Sequence, residues 1–181
     1  VDWCAERLEG ELPTLRPLDR ATLYQAFIEF GNRPQFFMNA FKDALRARQP
    51  ETAASDWGKL ISADVLTLAK RRTQTDREGF ASTYLQLEPL ERAVLWRLLS
   101  EGTQFRPYDA AAMAFYKERM GKTTTAGTVQ RKLEALREKN PPMLWKSQRG
   151  EYSPYDQSLQ DWYNFERNRG TWPPTPAVSP F

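Results

Sequence analysis

The chain has 181 residues, 40% hydrophobic and 13% aromatic, with a formal net charge of +3. That is enough chain for one or two domains with real cores, and it is too apolar for a disordered segment. It contains no histidine, which removes the commonest general base, the usual serine and cysteine triads and most transition-metal sites. Cys4 has no partner cysteine in the chain, no secretory signal is visible, and no apolar run reaches the ~18 residues of a spanning helix. The expected setting is therefore the cytoplasm, with no membrane partner. The chain opens on Val1 rather than Met, and reads as a fragment of a longer protein.

In chain order, residues 1–18 are ambiguous, with Leu12-Pro13-Thr14-Leu15 suggesting a short extended lead-in. Asp19 suits the N-cap of a helix running to Phe30, with Leu23, Phe27 and Phe30 on one face and Gly31 as its stop. Asn32 starts the next helix, with Pro34 in its first turn, where a missing N–H costs nothing. Phe37, Phe41, Ala44 and Leu45 line that helix, which stops before Pro50. Residues 50–58 read as a loop. Ser62 is expected to cap a third helix through Val65, Leu66 and Leu68. The polar run Lys70 to Gly79 then leaves two alternatives, a kinked helix or a break before Phe80, Tyr84 and Leu85. The first domain is placed at residues 1–86.

The second domain, residues 87–169, reads as a winged helix-turn-helix. A helix opens at Glu88-Pro89 and carries Leu90, Val94, Leu95 and Leu98. A second runs from Ala110 to Met120 and is ended by Gly121. The polar turn Lys122 to Gly127 leads to a third helix, Thr128–Lys139. Met143-Leu144-Trp145 and Glu151-Tyr152 flank Lys146-Ser147-Gln148-Arg149-Gly150 as a short wing hairpin. Pro154-Tyr155-Asp156 turns into a last helix, Ser158–Asn168, whose Trp162 and Phe165 should pack back on the module. Residues 170–181 hold four prolines and read as an extended tail. The fold class expected is mainly α: a small helical bundle, then a winged helix-turn-helix with a β-hairpin wing.

The charge is distributed unevenly. Residues 1–85 carry 12 basic and 12 acidic side chains, whereas residues 106–140 carry eight and four. The positive excess thus falls on the second and third helices of the winged module, the footprint expected for phosphate contacts. On the third helix Val129, Leu133 and Leu136 face inward, leaving Thr128, Gln130, Arg131, Lys132 and Lys139 to face outward. Early residues of a recognition helix reach base edges, so Thr128, Gln130 and Arg131 are the readout candidates, Gln for adenine and Arg for guanine. Lys122, Thr123, Thr124 and Thr125 are phosphate-contact candidates in the turn, with Thr125 also suited to cap the helix. Lys146, Gln148 and Arg149 are placed at the wing tip, against a minor groove or backbone. The aromatic residues read mainly as core, Tyr152 being the exception beside the wing. Gly121-Lys122-Thr123 matches the end of a phosphate-binding loop, but Phe115 and Tyr116 stand where the upstream glycine belongs. It is read as a helix-turn-helix turn, and the chain is not expected to be an enzyme by itself.

Gly31-Asn32-Arg33-Pro34 reads structurally as a tight helix–helix corner. A small helical bundle with Gly-x-Arg-Pro at a helix start, followed by a winged helix, also resembles the C-terminal lid and winged-helix region of AAA+ and related STAND-type ATPases, with an Orc-like layout. The resemblance covers most of residues 12–165 on a short motif. It implies that the bundle is an ATPase lid and that Arg33 is the sensor 2 arginine that reaches the nucleotide phosphates, a task suited to a permanently charged planar guanidinium. It also implies an upstream ATPase core as partner, with ATP bound there and no cofactor held by this chain, and double-stranded DNA as the ligand of the winged helix. The alternative is a winged helix used for protein contacts, autoregulation or homo-oligomerisation. Glu134 and Glu138 favour that alternative if they face outward.

Overall fold

The computed structural model describes residues 1–48 and 56–175. Eight α-helices and one two-stranded antiparallel hairpin lie among the described residues, so the protein is mainly α. It divides into two compact units, Val1–Asp76 and Arg77–Phe181. The predicted boundary near Gln86 is thus displaced by ten residues, because Phe80, Ala81 and Tyr84 pack into the core of the second unit. No helix among the described residues is long and apolar enough to cross a membrane.

In the first unit, α1 (Asp2–Glu11), α2 (Arg20–Glu29), α3 (Pro34–Ala47) and the start of α4 (Trp57–Gln86) enclose Leu15, Leu23, Ala26, Phe37, Phe41, Ile61 and Val65. The ambiguous opening is therefore helical, and the expected extended lead-in is a 3₁₀ turn, Pro13–Leu15. Asp19 caps α2 as predicted, accepting from the Thr22 amide at 3.1 Å. That hydrogen bond holds its carboxyl below the usual aspartate range. Asn32 does not open α3. It has φ of 58° beside Gly31 at 64°, and Arg33 is the N-cap, with Pro34 at the first helical position. The loop expected from Pro50 lies mostly outside the described residues.

Ser62 is not a cap, because α4 already begins at Trp57. Its buried hydroxyl donates to the Gly58 carbonyl at 2.7 Å and accepts from the Asp19 amide at 3.1 Å. The polar run 70–79 is continuous helix, and two of its hydroxyls bond to backbone carbonyls, one within α4 and one on α2. Thr75 donates to the Arg71 carbonyl at 3.0 Å, and Thr73 to the Glu29 carbonyl of α2 at 2.9 Å.

In the second unit, α5 (Pro89–Glu101), α6 (Ala110–Met120) and α7 (Ala126–Glu138) pack together. Strands β1 (Leu144–Lys146) and β2 (Tyr152–Pro154) follow, then α8 (Gln157–Arg169). Val94, Leu95, Leu98, Tyr116, Val129, Leu133, Leu136, Leu144 and Trp162 are almost fully buried in one cluster. Trp162 packs back as expected. Phe165 lies half-buried under the Arg77 guanidinium, 3.5 Å from its ring centroid. The tail begins less freely than its prolines suggest: Trp172 packs against Tyr163, Tyr84 and Trp162, with ring centroids 4.8, 5.0 and 5.3 Å away. Residues 176–181 lie outside the described region.

Gly58 is where backbone meets backbone. A Cβ there would sit 2.2 Å from the Leu15 carbonyl oxygen and 2.3 Å from that of Pro17. Gly58→Ala should destabilise the first unit by about 2 kcal/mol or more, because overpacking outweighs the ~1 kcal/mol gain in helix propensity. Urea denaturation checks this; a neutral or stabilised variant would show that the 13–17 segment does not pack there.

Candidate nucleic-acid interface

Gly121, with φ of 66°, closes α6 in the left-handed region and exposes Lys122 and Thr123, with Thr124 half-buried. Thr125 takes the capping role. Its hydroxyl accepts from the Thr128 amide at 3.2 Å and lies 2.9 Å from the Thr128 hydroxyl. Both hydroxyls are thus engaged in starting α7 two residues earlier than predicted. Arg131 is exposed, with its guanidinium 3.4 Å from the Thr128 hydroxyl.

Three of the expected outward residues are held within the protein. Gln130 is half-buried; its amide nitrogen donates to Glu134 at 2.7 Å, and its oxygen accepts from the Tyr108 hydroxyl. Lys132 reaches Glu88 at 2.6 Å and Glu91 at 3.7 Å. Lys139 reaches Glu91 at 3.4 Å. The reason is angular. Successive helix residues are turned by about 100°, so the same packing of Val129, Leu133 and Leu136 that exposes Arg131 swings Lys132 onto α5. There Glu88 and Glu91 form a capping box at the helix start, and Glu91 is only 4% exposed. A carboxylate so buried needs countercharge. The pairing also holds the Glu88 carboxyl below its ordinary value, chiefly through the Lys132 hydrogen bond.

The exposed ridge of α7 therefore has one cation near its start, Arg131, and acidic groups towards its end. Glu138 is exposed, and Glu134 pairs with Arg137 at 2.7 Å. In the hairpin, Leu144 faces Pro154, Trp145 faces Ser153 and Lys146 faces Tyr152. The Ser147 amide donates to Glu151 at 2.8 Å, and that of Gly150 to Ser147 at 3.0 Å. Gly150 has φ of 85°, as a three-residue hairpin loop with a left-handed last position requires. Gln148 and Arg149 are exposed at the tip, and Lys146 is exposed with its ammonium 5.3 Å from the Tyr152 ring centroid.

Tyr152 is not the exposed aromatic. It is 6% exposed and packs edge-on against Phe105 at 6.2 Å. Among the described residues of this unit, Tyr108, Trp145 and Tyr155 are the exposed rings, at 42%, 46% and 58%. The alternation of Leu144-Trp145-Lys146 carried the signal for Trp145, since a strand buries every second residue.

In the first unit, Arg33 stands at the N-cap of α3, with its guanidinium 5.4 Å from the Phe36 ring centroid. Arg72 lies 4.0 Å from the same ring. No family model matches this chain, and no curated protein or solved structure is detectably similar to it.

The Lys132 cluster has an acid-titration signature. The Glu88 carboxyl is below its ordinary 4.5 in the folded protein, so the pair's stabilisation is complete above that pH. It fades as pH falls through the lower folded value. Lys132→Met should return Glu88 towards 4.5 in a carboxylate NMR titration and flatten this part of the acid profile. The variant should also lose roughly 1–2 kcal/mol, less than the roughly 3–5 of a buried ion left alone, because Lys139 remains beside Glu91. An unmoved Glu88 titration would show that the pair does not persist in solution.

Proposed function

We propose that the second unit is a winged helix that binds double-stranded DNA through the start of α7, the turn before it and the hairpin, and that the first unit is the lid of an ATPase whose core lies upstream. One observation carries the DNA reading. Lys122, Arg131, Lys146 and Arg149 are exposed and have no acidic partner among the described residues. They occupy the turn, the first half of α7 and the hairpin, the parts that meet phosphates and base edges in such modules. Thr123 and Thr124 add hydroxyls and amides at the same turn, and Gln148 adds an amide at the tip. Thr125 and Thr128 contribute by shaping the helix start. Lys132 stands outside the surface, as an internal ion-pair partner.

Arg33 supports the lid reading by position. Two consecutive left-handed residues, Gly31 and Asn32, bring the chain abruptly into α3, so a guanidinium stands at a helix start, a location suited to phosphate. Arg33 would then sense ATP held by the upstream core, and this chain would perform no hydrolysis itself. A Walker loop in the sequence preceding Val1 in the parent protein supports this; its absence overturns it.

Glu134 and Glu138 favour a second reading, in which α7 docks on a basic protein partner. Salt separates the two, since phosphate contacts release counterions and weaken steeply with salt. In mobility shifts with duplex DNA, Lys122→Ala should lower the salt slope by about one unit and Arg131→Ala should cost about 1–3 kcal/mol of affinity. Lys132→Ala should leave affinity nearly unchanged once the protein is folded. Salt-independent binding, or full affinity in the Lys122/Arg131 double variant, would sink the DNA reading.

A further inference from the structure

The hairpin presents two aromatic rings that are about half exposed. Trp145 is 46% exposed and its cross-strand partner is Ser153, a side chain too small to shield an indole. The Tyr155 amide donates to the Met143 carbonyl at 3.1 Å, which extends the ladder one step beyond β2. Tyr155 is therefore the diagonal neighbour of Trp145, two residues from Ser153 in the register, and is 58% exposed. Diagonal pairs of this kind are close enough for large rings to form one surface. On the other face Leu144 and Tyr152 are buried and Lys146 is exposed, and Met143, opposite Tyr155, is itself buried.

The surroundings are cationic at the tip. Arg149 is exposed at the loop, and Lys146 is exposed on the opposite face of β1 from Trp145, with its ammonium 5.3 Å from the Tyr152 ring centroid. Glu151 and Asp156 are the nearby acids, and Asp156 caps α8 by accepting from the Ser158 amide at 2.8 Å. Exposed rings beside cations suit bases that have left the duplex, because stacking is tolerant of sequence and the backbone phosphates meet the positive charge. Paired bases offer no such faces except at an end.

We infer that the outer face of the hairpin, Trp145 with Tyr155, stacks unpaired bases where single-stranded DNA leaves a duplex, so that the preferred ligand is a duplex with an overhang rather than a continuous one. This inference rests on the DNA reading of the second unit and specifies its substrate class.

The test compares the full chain on a blunt duplex and on the same duplex with a short thymine overhang, and places 2-aminopurine at the first unpaired position in a parallel probe. The overhang duplex should bind about tenfold more tightly, and 2-aminopurine fluorescence should be quenched on binding. Trp145→Leu and Tyr155→Ala should abolish the quenching and bring overhang-duplex affinity down to that of the blunt duplex. Trp145→Phe should retain most of both. Equal affinity for the two duplexes, or a preference that survives the Trp145→Leu/Tyr155→Ala double variant, overturns the inference and leaves the DNA reading standing. Binding to neither duplex overturns both. Self-association in place of DNA binding, abolished by Trp145→Leu, assigns this face to a second copy of the chain and overturns the inference as well.

Discussion

Glu91 is a carboxylate at the third position of α5 with almost no access to water. Its oxygens meet the Glu88 amide at 3.2 Å, Lys132 at 3.7 Å and Lys139 at 3.4 Å. The cost of burying that charge is offset by the Glu88 amide together with Lys132 of α7 and Lys139 at its C-cap. The apolar seam of Val129, Leu133 and Leu136 allows this, and the ion cluster fixes the rotation. That rotation decides which side chains of α7 meet solvent. It puts Arg131 into solvent, withdraws Lys132 and Lys139, and leaves Glu138 exposed.

The result is a surface narrower than a count of lysines and arginines suggests. Residues 106–140 hold an excess of four positive charges by composition. Two of their lysines neutralise acids that belong to α5, before residue 106. Exposed cations without an ion pair among the described residues include Lys122 and Arg131 near the start of α7 and Lys146 and Arg149 on the hairpin, and also Arg106, Lys117 and Arg119 around α6. Recognition helices use their early residues, so this polarity is compatible with a groove-binding helix whose acidic end points away from the phosphates. The same polarity would serve a protein partner with a basic patch. The hairpin carries exposed rings, Trp145 and Tyr155, as well as the exposed cations Lys146 and Arg149.

The first unit is held by a different device. Asp19, Gly58 and Ser62 form one polar joint between the start of α2 and the first turn of α4: an amide to a hydroxyl, and the hydroxyl to a carbonyl. Gly58 permits it by letting the 15–17 backbone approach the helix directly. A serine at that position looks like an N-cap in a linear reading, because capping and bridging use the same hydroxyl. Only the identity of its donor, forty-three residues away, distinguishes them.

Much of the architecture was legible locally. Asp19, Pro34, Gly121 and Thr125 mark helix ends through short-range hydrogen bonds and backbone preferences, and each marks the end it was read for. The helical spacing of Val129, Leu133 and Leu136 on α7 and the Gly150 turn of the hairpin are legible for the same reason, since their physics is contained within a few residues. The opening helix was not, because Asp2–Glu11 has a weak apolar stripe and Ala5 earns burial only from its neighbours. The candidate site divides along the same line. Lys122, Arg131, Lys146, Gln148 and Arg149 are exposed because their own turn or helix face exposes them. Lys132, Lys139 and Gln130 were misplaced because their partners, Glu88, Glu91 and Tyr108, lie on other helices or loops. What the amino-acid order determined by itself is the set of elements, their caps and the inner face of each. What only tertiary packing decided is which charges remain free, because an ion pair across helices depends on how those helices are rotated against each other, and that rotation is a property of the whole core.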